Sequence, residues 1–122
     1  MGSKRWCAVS VLLVIAGFVA CGSSHVGHAA YVTLSGGNQV AGYKVDSFGK
    51  LTKLTSSPYS GGSSPSAICV HPSKKFAYVA NGGGGDVSLF TIDASSGALT
   101  EASSRTTAGT SPSALAMVVH AR

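Results

Sequence analysis

Few residues of this chain have the type and spacing to do chemistry. The candidates are His25, His28, His71 and His120, Asp46 and Asp93, a cysteine at position 69, and a glycine run at 82–85. A metal ion needs several His, Cys or carboxylate ligands at short, matched spacing. His71 and His120 stand far apart without such a set, so His71 reads as a turn residue in His71-Pro72-Ser73-Lys74. His25 and His28 fall in a solvated linker. Asp46 and Asp93 each follow a strand-like run, which suits the capping of turn N–H groups. General acid–base catalysis by paired carboxylates requires them to converge, and equivalent places in successive repeats do not converge. The 82–85 run lacks the Lys-Ser or Lys-Thr and the strand-to-helix setting of a phosphate loop. Ser-rich segments such as Ser56-Ser57-Pro58 and Ser63-Ser64-Pro65 contain no G-x-S-x-G elbow. Cys69, within Ile68-Cys69-Val70, reads as strand core rather than as a nucleophile. The expectation is therefore no catalytic set, no cofactor and no metal.

The elements that hold these residues repeat. Ala30-Tyr31-Val32 returns as Ala77-Tyr78-Val79, with 47 positions between the tyrosines, and Pro65-Ser66-Ala67-Ile68 returns as Pro112-Ser113-Ala114-Leu115 at the same spacing. Gly49-Lys50-Leu51-Thr52 returns as Gly97-Ala98-Leu99-Thr100 at 48, one turn residue more. The repeats run over 29–75 and 76–122. Strand-like runs at 65–70, 75–80, 87–92 and 99–102 are split by turn-rich segments, the pattern of successive hairpins.

Period-2 alternation assigns the faces. Val87 and Leu89 point to one side of a strand, Phe90 and Ile92 to the other, and Tyr43 and Val45 repeat the latter pair. A sheet apolar on both faces must lie between two others. Four antiparallel strands in roughly 45 residues make one blade of a β-propeller. The fold class expected is all-β: a partial β-propeller of about two four-stranded antiparallel blades, preceded by an N-terminal signal helix. A parallel β-solenoid is the main structural rival, although its coils are usually shorter.

The segments 71–81, 87–93 and 96–100 (His71-Pro72-Ser73-Lys74-Lys75-Phe76-Ala77-Tyr78-Val79-Ala80-Asn81, Val87-Ser88-Leu89-Phe90-Thr91-Ile92-Asp93, Ser96-Gly97-Ala98-Leu99-Thr100) resemble the lactonase-type, 6-phosphogluconolactonase-like seven-bladed propellers and the related Tyr-Val-Thr-Asn repeat proteins. The resemblance covers 29–117. It implies a lactone (carboxylic ester) hydrolase whose substrate sits at the central channel, held by polar residues from several blades. No residue here matches a catalytic motif of that kind. Tyr31-Val32-Thr33-Leu34 departs from the pattern at Leu34, His71 stands where Asp is common, and Lys74 replaces a turn Gly.

Lys4 and Arg5 followed by the uncharged apolar run 6–20 make a secretion signal, too short for an ordinary membrane span. Phe18-Val19-Ala20-Cys21 resembles a lipoprotein lipobox, which implies lipidation at Cys21, a 1–20 signal peptide, a flexible 21–28 tether and a 29–122 propeller part. Cleavage near Ala29 or Ala30 is the alternative. Cys7 would go with the leader, leaving no disulfide framework. The chain is then exported, as an outer-membrane or periplasm-facing lipoprotein or in secreted form, and meets the membrane through its lipid anchor. Setting aside Lys4 and Arg5 lowers the formal charge from +5 to +3, without a basic stripe, so no nucleic-acid partner is expected. Two readings of the repeat count stay open: a truncated family member lacking a complete active site, or a non-catalytic envelope scaffold that binds a glycan or envelope protein. In the second, the segment 112–117 self-associates through blade edges with another copy.

Overall fold

The computed structural model describes residues 11–15 and 28–118. Two antiparallel sheets account for them. The first runs β1 (Val11–Ile15), β2 (His28–Leu34), β3 (Gln39–Val45) and β4 (Leu51–Lys53), with β5 (Tyr59–Ser60) pairing the other half of β3. The second runs β6 (Pro65–Val70), β7 (Phe76–Asn81), β8 (Asp86–Ile92) and β10 (Thr106–Thr107), with β9 (Leu99–Glu101) also on β8. Each sheet is thus three full strands and an outer strand divided in two, the form of a propeller blade. The blade boundary falls between Ser60 and Pro65, so the sheets are offset from the sequence repeats: β6 opens the second blade.

Alternation of side chains explains the packing. Tyr31, Ala29 and Val40 leave the first blade toward the second, where Ile68, Ala77, Val79, Phe90, Ile92 and Leu99 meet them in one buried core. Phe90 and Ile92 are buried while Val87 and Leu89, on the opposite face, are half-buried, as the period-2 pattern requires. Two polar contacts fix the blades to each other. The Tyr31 hydroxyl donates to the Gly97 carbonyl at 2.6 Å, and Ser35 Oγ donates to the Pro65 carbonyl at 2.7 Å. Gly97 lies in the left-handed region (φ +78°), which turns its carbonyl toward the neighbouring blade.

Three expectations change. The described part of the expected leader, Val11–Ile15, is a strand antiparallel to β2, where a signal helix was expected; the rest of 1–20 lies outside the described residues. The reason is the open edge of β2, which an apolar, β-branched segment can pair. His28, placed by its sequence in the linker, begins β2. The segment 112–117, expected as a strand, has no strand pairing among the described residues, because a strand forms only beside a partner.

Burial raises the Tyr31 hydroxyl well above its ordinary value near 10, with the nearby Tyr59 adding to it. A raised folded-state value gives stability that is whole below pH 10 and lost as pH climbs beyond it. Tyr31→Phe is expected to lower unfolding stability in urea by about 1 kcal/mol at pH 7, the loss of one hydrogen bond. The variant should also lose less stability than the parent between pH 9 and pH 11 (roughly, the range spanning a tyrosine's ordinary value). Identical parent and variant curves at both ends of that range would show that the hydroxyl does not brace the blades.

Candidate functional site

The hairpin pattern sorts the connections into two ends. One end carries the turns after β3, β6 and β8, and the other carries the loops 61–64, 82–85 and 108–111. At the first end the sequence-singled carboxylates do what their turn positions suggest. Asp46 Oδ1 accepts from the Phe48 and Lys50 N–H groups at 2.8 and 2.9 Å, and Asp93 Oδ1 accepts from Ser95 N at 2.8 Å and Ser96 N at 2.9 Å. The Ser95 hydroxyl, at 2.7 Å, is the leading cause that holds the exposed Asp93 carboxyl at about 2. His71 closes its own turn, its Nδ1 accepting from Ser73 N at 3.0 Å while the ring stands edge-on to Phe76.

The opposite end is where polar groups gather. Asn81, fully buried at the end of β7, donates from Nδ2 to Asp86 Oδ1 at 2.7 Å and to Ser88 Oγ at 2.9 Å. Its Oδ1 is buried without a hydrogen-bond partner. Above it the 82–85 loop is tied to the preceding connection by Gly82 N to Ser64 O at 2.8 Å and Gly83 N to Ser63 O at 3.0 Å. These glycines, with Thr107, Gly109, Thr110 and Ser111, line an open depression of about 400 Å³. Gly62 must be glycine here, since a Cβ on it would overlap the Asn81 carboxamide.

Backbone amides and hydroxyls of this kind can hydrogen-bond a polyhydroxylated ligand. They do not include a nucleophile with a base beside it. The chain has four carboxylates in all: Asp46 and Asp93 cap turns at the far end, Glu101 pairs with Arg105 at 2.9 Å, and only Asp86 stands at the loop end. Among the described residues, no group of three or more His, Cys, Asp or Glu could hold a metal, and no helix is long and apolar enough to cross a membrane. His25, His120 and Cys21 lie outside the described residues. Sequence reasoning took Asn81 for the start of a turn and missed its buried network. The signal was its place one residue past an apolar strand, with Asp86 and Ser88 across the hairpin. In the first blade Leu34 occupies the equivalent position, so the network belongs to the second blade alone.

One cysteine reading is corrected. Cys69 is buried as expected for strand core, but it is disulfide-bonded rather than solitary; the other two cysteines, Cys7 and Cys21, lie outside the described residues. The sequence reading had removed Cys7 with the leader and assigned Cys21 to lipid, and so counted no bridge.

With two blade-like sheets and their loop end described, comparison with known proteins decides the family. The model of the lactonase, 7-bladed beta-propeller family matches residues 22–119. The chain belongs to this lactonase propeller family. A comparison with curated proteins finds no match. Among solved structures, a functionally unknown protein from Desulfotomaculum acetoxidans DSM 771 is similar at TM-score 0.61 and 25% identity, over 69% of this chain and 26% of that one. A periplasmic gluconolactonase of Pseudomonas aeruginosa is similar at TM-score 0.56 and 23% identity, over 79% of this chain and 30% of its own, and it shows the fold alone. The chain therefore spans less than a third of the length of either of these two proteins.

Two outcomes are expected from this geometry. Asn81→Ala, which leaves Asp86 and Ser88 without their donor, should lower stability by roughly 1–3 kcal/mol in chemical denaturation; a neutral effect would mean that the network does not support the loop end. In an NMR pH titration the Asp93 carboxyl should protonate with a midpoint at about 2. Because that value is depressed, its stabilising contribution is present above the ordinary 3.8 and fades as pH falls toward 2.

Proposed function

We propose that the chain forms two blades of an exported, lactonase-like propeller, with its loop end turned toward a sugar-lactone site that these blades alone do not complete. The carrying observation is the distribution of carboxylates. Opening a lactone ester requires an activated water and an acid for the departing alkoxide, held on either side of one carbonyl. Of the four carboxylates, two cap turns at the far end, one is engaged by an arginine, and Asp86 alone faces the loop end. The glycine loop, braced from beneath by the buried Asn81–Asp86–Ser88 set, then acts as a polar wall that orients ligand. Further acid and base groups would come from other blades.

Export is supported by the charged and apolar order of 1–20. Lipidation at Cys21 fits the same reading. Processing there removes Cys7 and alkylates Cys21, so it competes with the disulfide of Cys69 for the chain's thiols.

The test is hydrolysis of a sugar δ-lactone by the purified chain, followed by base uptake at constant pH. The expected rate equals that of buffer alone, and Asp86→Asn should leave it unchanged. A rate well above buffer that falls with Asp86→Asn would overturn the incomplete-site reading. Export is checked separately: cells fed an alkyne-tagged fatty acid should label the wild-type chain and not Cys21→Ser.

A further inference from the structure

The five lysines among the described residues are scattered along the sequence, but the fold brings them to one end of the blades. Lys50 closes the turn after β3, and Lys74 and Lys75 lie in the turn that leads into β7. Lys44 is one residue from the end of β3, paired with Thr52, and Lys53 is the last residue of β4, three places beyond Lys50. Lys44, Lys50, Lys53 and Lys75 are exposed, and none of the five makes an ion pair among the described residues. Against them this end sets two carboxylates, Asp46 and Asp93, both occupied in capping turns. The other described charges are Asp86 at the loop end and the Glu101–Arg105 pair, whose charges cancel. Positive charge is thus concentrated at the turn end.

Phe48 projects from the same end, 94% exposed, and Leu51, which opens β4, is 55% exposed. The turn does not need the ring. Asp46 caps it through the Phe48 and Lys50 N–H groups, and Asp93 caps the equivalent turn of the second blade through the N–H groups of two serines, Ser95 and Ser96. One exposed apolar residue is ordinary on a protein surface. An aromatic ring flanked in its own hairpin by Lys44, Lys50 and Lys53 is different: it is the pattern of a side chain that enters lipid while its neighbours meet charged headgroups. Blades pack face against face, and turn tips lie past the faces, so this end stays open however many blades the ring contains.

The chain also enters the blades here. Ile15 pairs with His28, and His28 pairs with Val45, at the end that carries the Asp46 turn. Cys21, the residue proposed above for lipid, precedes His28 by seven positions. An anchor there is attached at the lysine end, opposite the glycine-lined depression.

We infer that the turn end is a membrane-docking face. Its lysines meet the anionic headgroups of a bilayer, Phe48 enters the boundary between headgroups and acyl chains, and the loop end is held facing away from lipid. The inference goes beyond lactone chemistry and does not depend on the anchor, because charge and ring act equally on a chain without lipid. A strand as long as β2 spans roughly 23 Å, so the depression stands about that far from the bilayer. That is well past the screening length of about 8 Å at physiological salt, and a soluble ligand reaches the loop end outside the field of the lipid surface.

Co-sedimentation of the full chain with phosphatidylglycerol-containing vesicles tests the inference. Replacing Lys44, Lys50, Lys53 and Lys75 together by glutamine should weaken binding by roughly tenfold or more. These side chains are exposed, so the variant should keep the parent's fold. Raising salt from about 0.05 to about 0.5 M should also release the parent chain. If the apolar run 6–20 alone carried the chain to lipid, the quadruple variant would bind like the parent, and the inference would fall. Orientation is read with Trp6→Phe, which removes the one native tryptophan, combined with either Phe48→Trp or Thr110→Trp. Fluorescence from position 48 should shift to the blue and be quenched by brominated lipid, while fluorescence from position 110, at the loop end, should do neither. Equal quenching at both positions, or at neither, overturns the docking geometry. Heparin binding as tight as vesicle binding, with Phe48→Ser leaving the latter unchanged, would identify an acidic polymer as the partner and refute the lipid.

Discussion

Everything in this molecule depends on sheets that are oily on both faces. A sheet with one wet face can end a domain, but one with Tyr31 on one side and Tyr43 on the other must find a neighbour for each. The second blade supplies one neighbour and buries Tyr31 completely, and burial then forces the hydroxyl to find an acceptor, which the left-handed Gly97 presents. Packing and hydrogen bonding are in this way a single requirement. The same requirement, unmet, recurs on the outward faces of both blades.

Edges impose a second constraint of the same kind. The innermost position of the first blade is taken by Val11–Ile15, a segment of the proposed secretion signal whose β-branched, apolar residues also suit a strand. A single stretch of sequence is compatible with both, because hydrophobicity and β-propensity do not distinguish a signal from an inner strand. The proposed processing and the strand pairing would therefore involve the same residues. The disulfide of Cys69, an inner-strand residue of the second blade, adds a covalent constraint on the residues that lie beside it.

The two ends of the blades divide the work. Short turns capped by Asp46 and Asp93 fix hairpin register at one end, where their carboxylates are used up as acceptors. The other end trades side chains for glycines, so backbone amides remain as its polar surface, with a buried asparagine network beneath them. The aspartate-capped turn recurs in both blades, whereas Leu34 against Asn81 makes the second end differ between them.

Much of this was legible in residue order. The 47-residue recurrence, the alternation at Val87, Leu89, Phe90 and Ile92, and the aspartates after strands follow from local rules, and they named the blade, its faces and its turns. The buried role of Asn81, the bridge at Cys69, the strand at Val11–Ile15 and the unpaired course of 112–117 were not legible. Each of these is settled by what lies across a sheet or beside an edge. Sequence determined which segments seek partners, because that depends on the alternation of neighbours along the chain; only the tertiary structure decided which partner each one takes, because pairing is a contest among segments far apart in sequence.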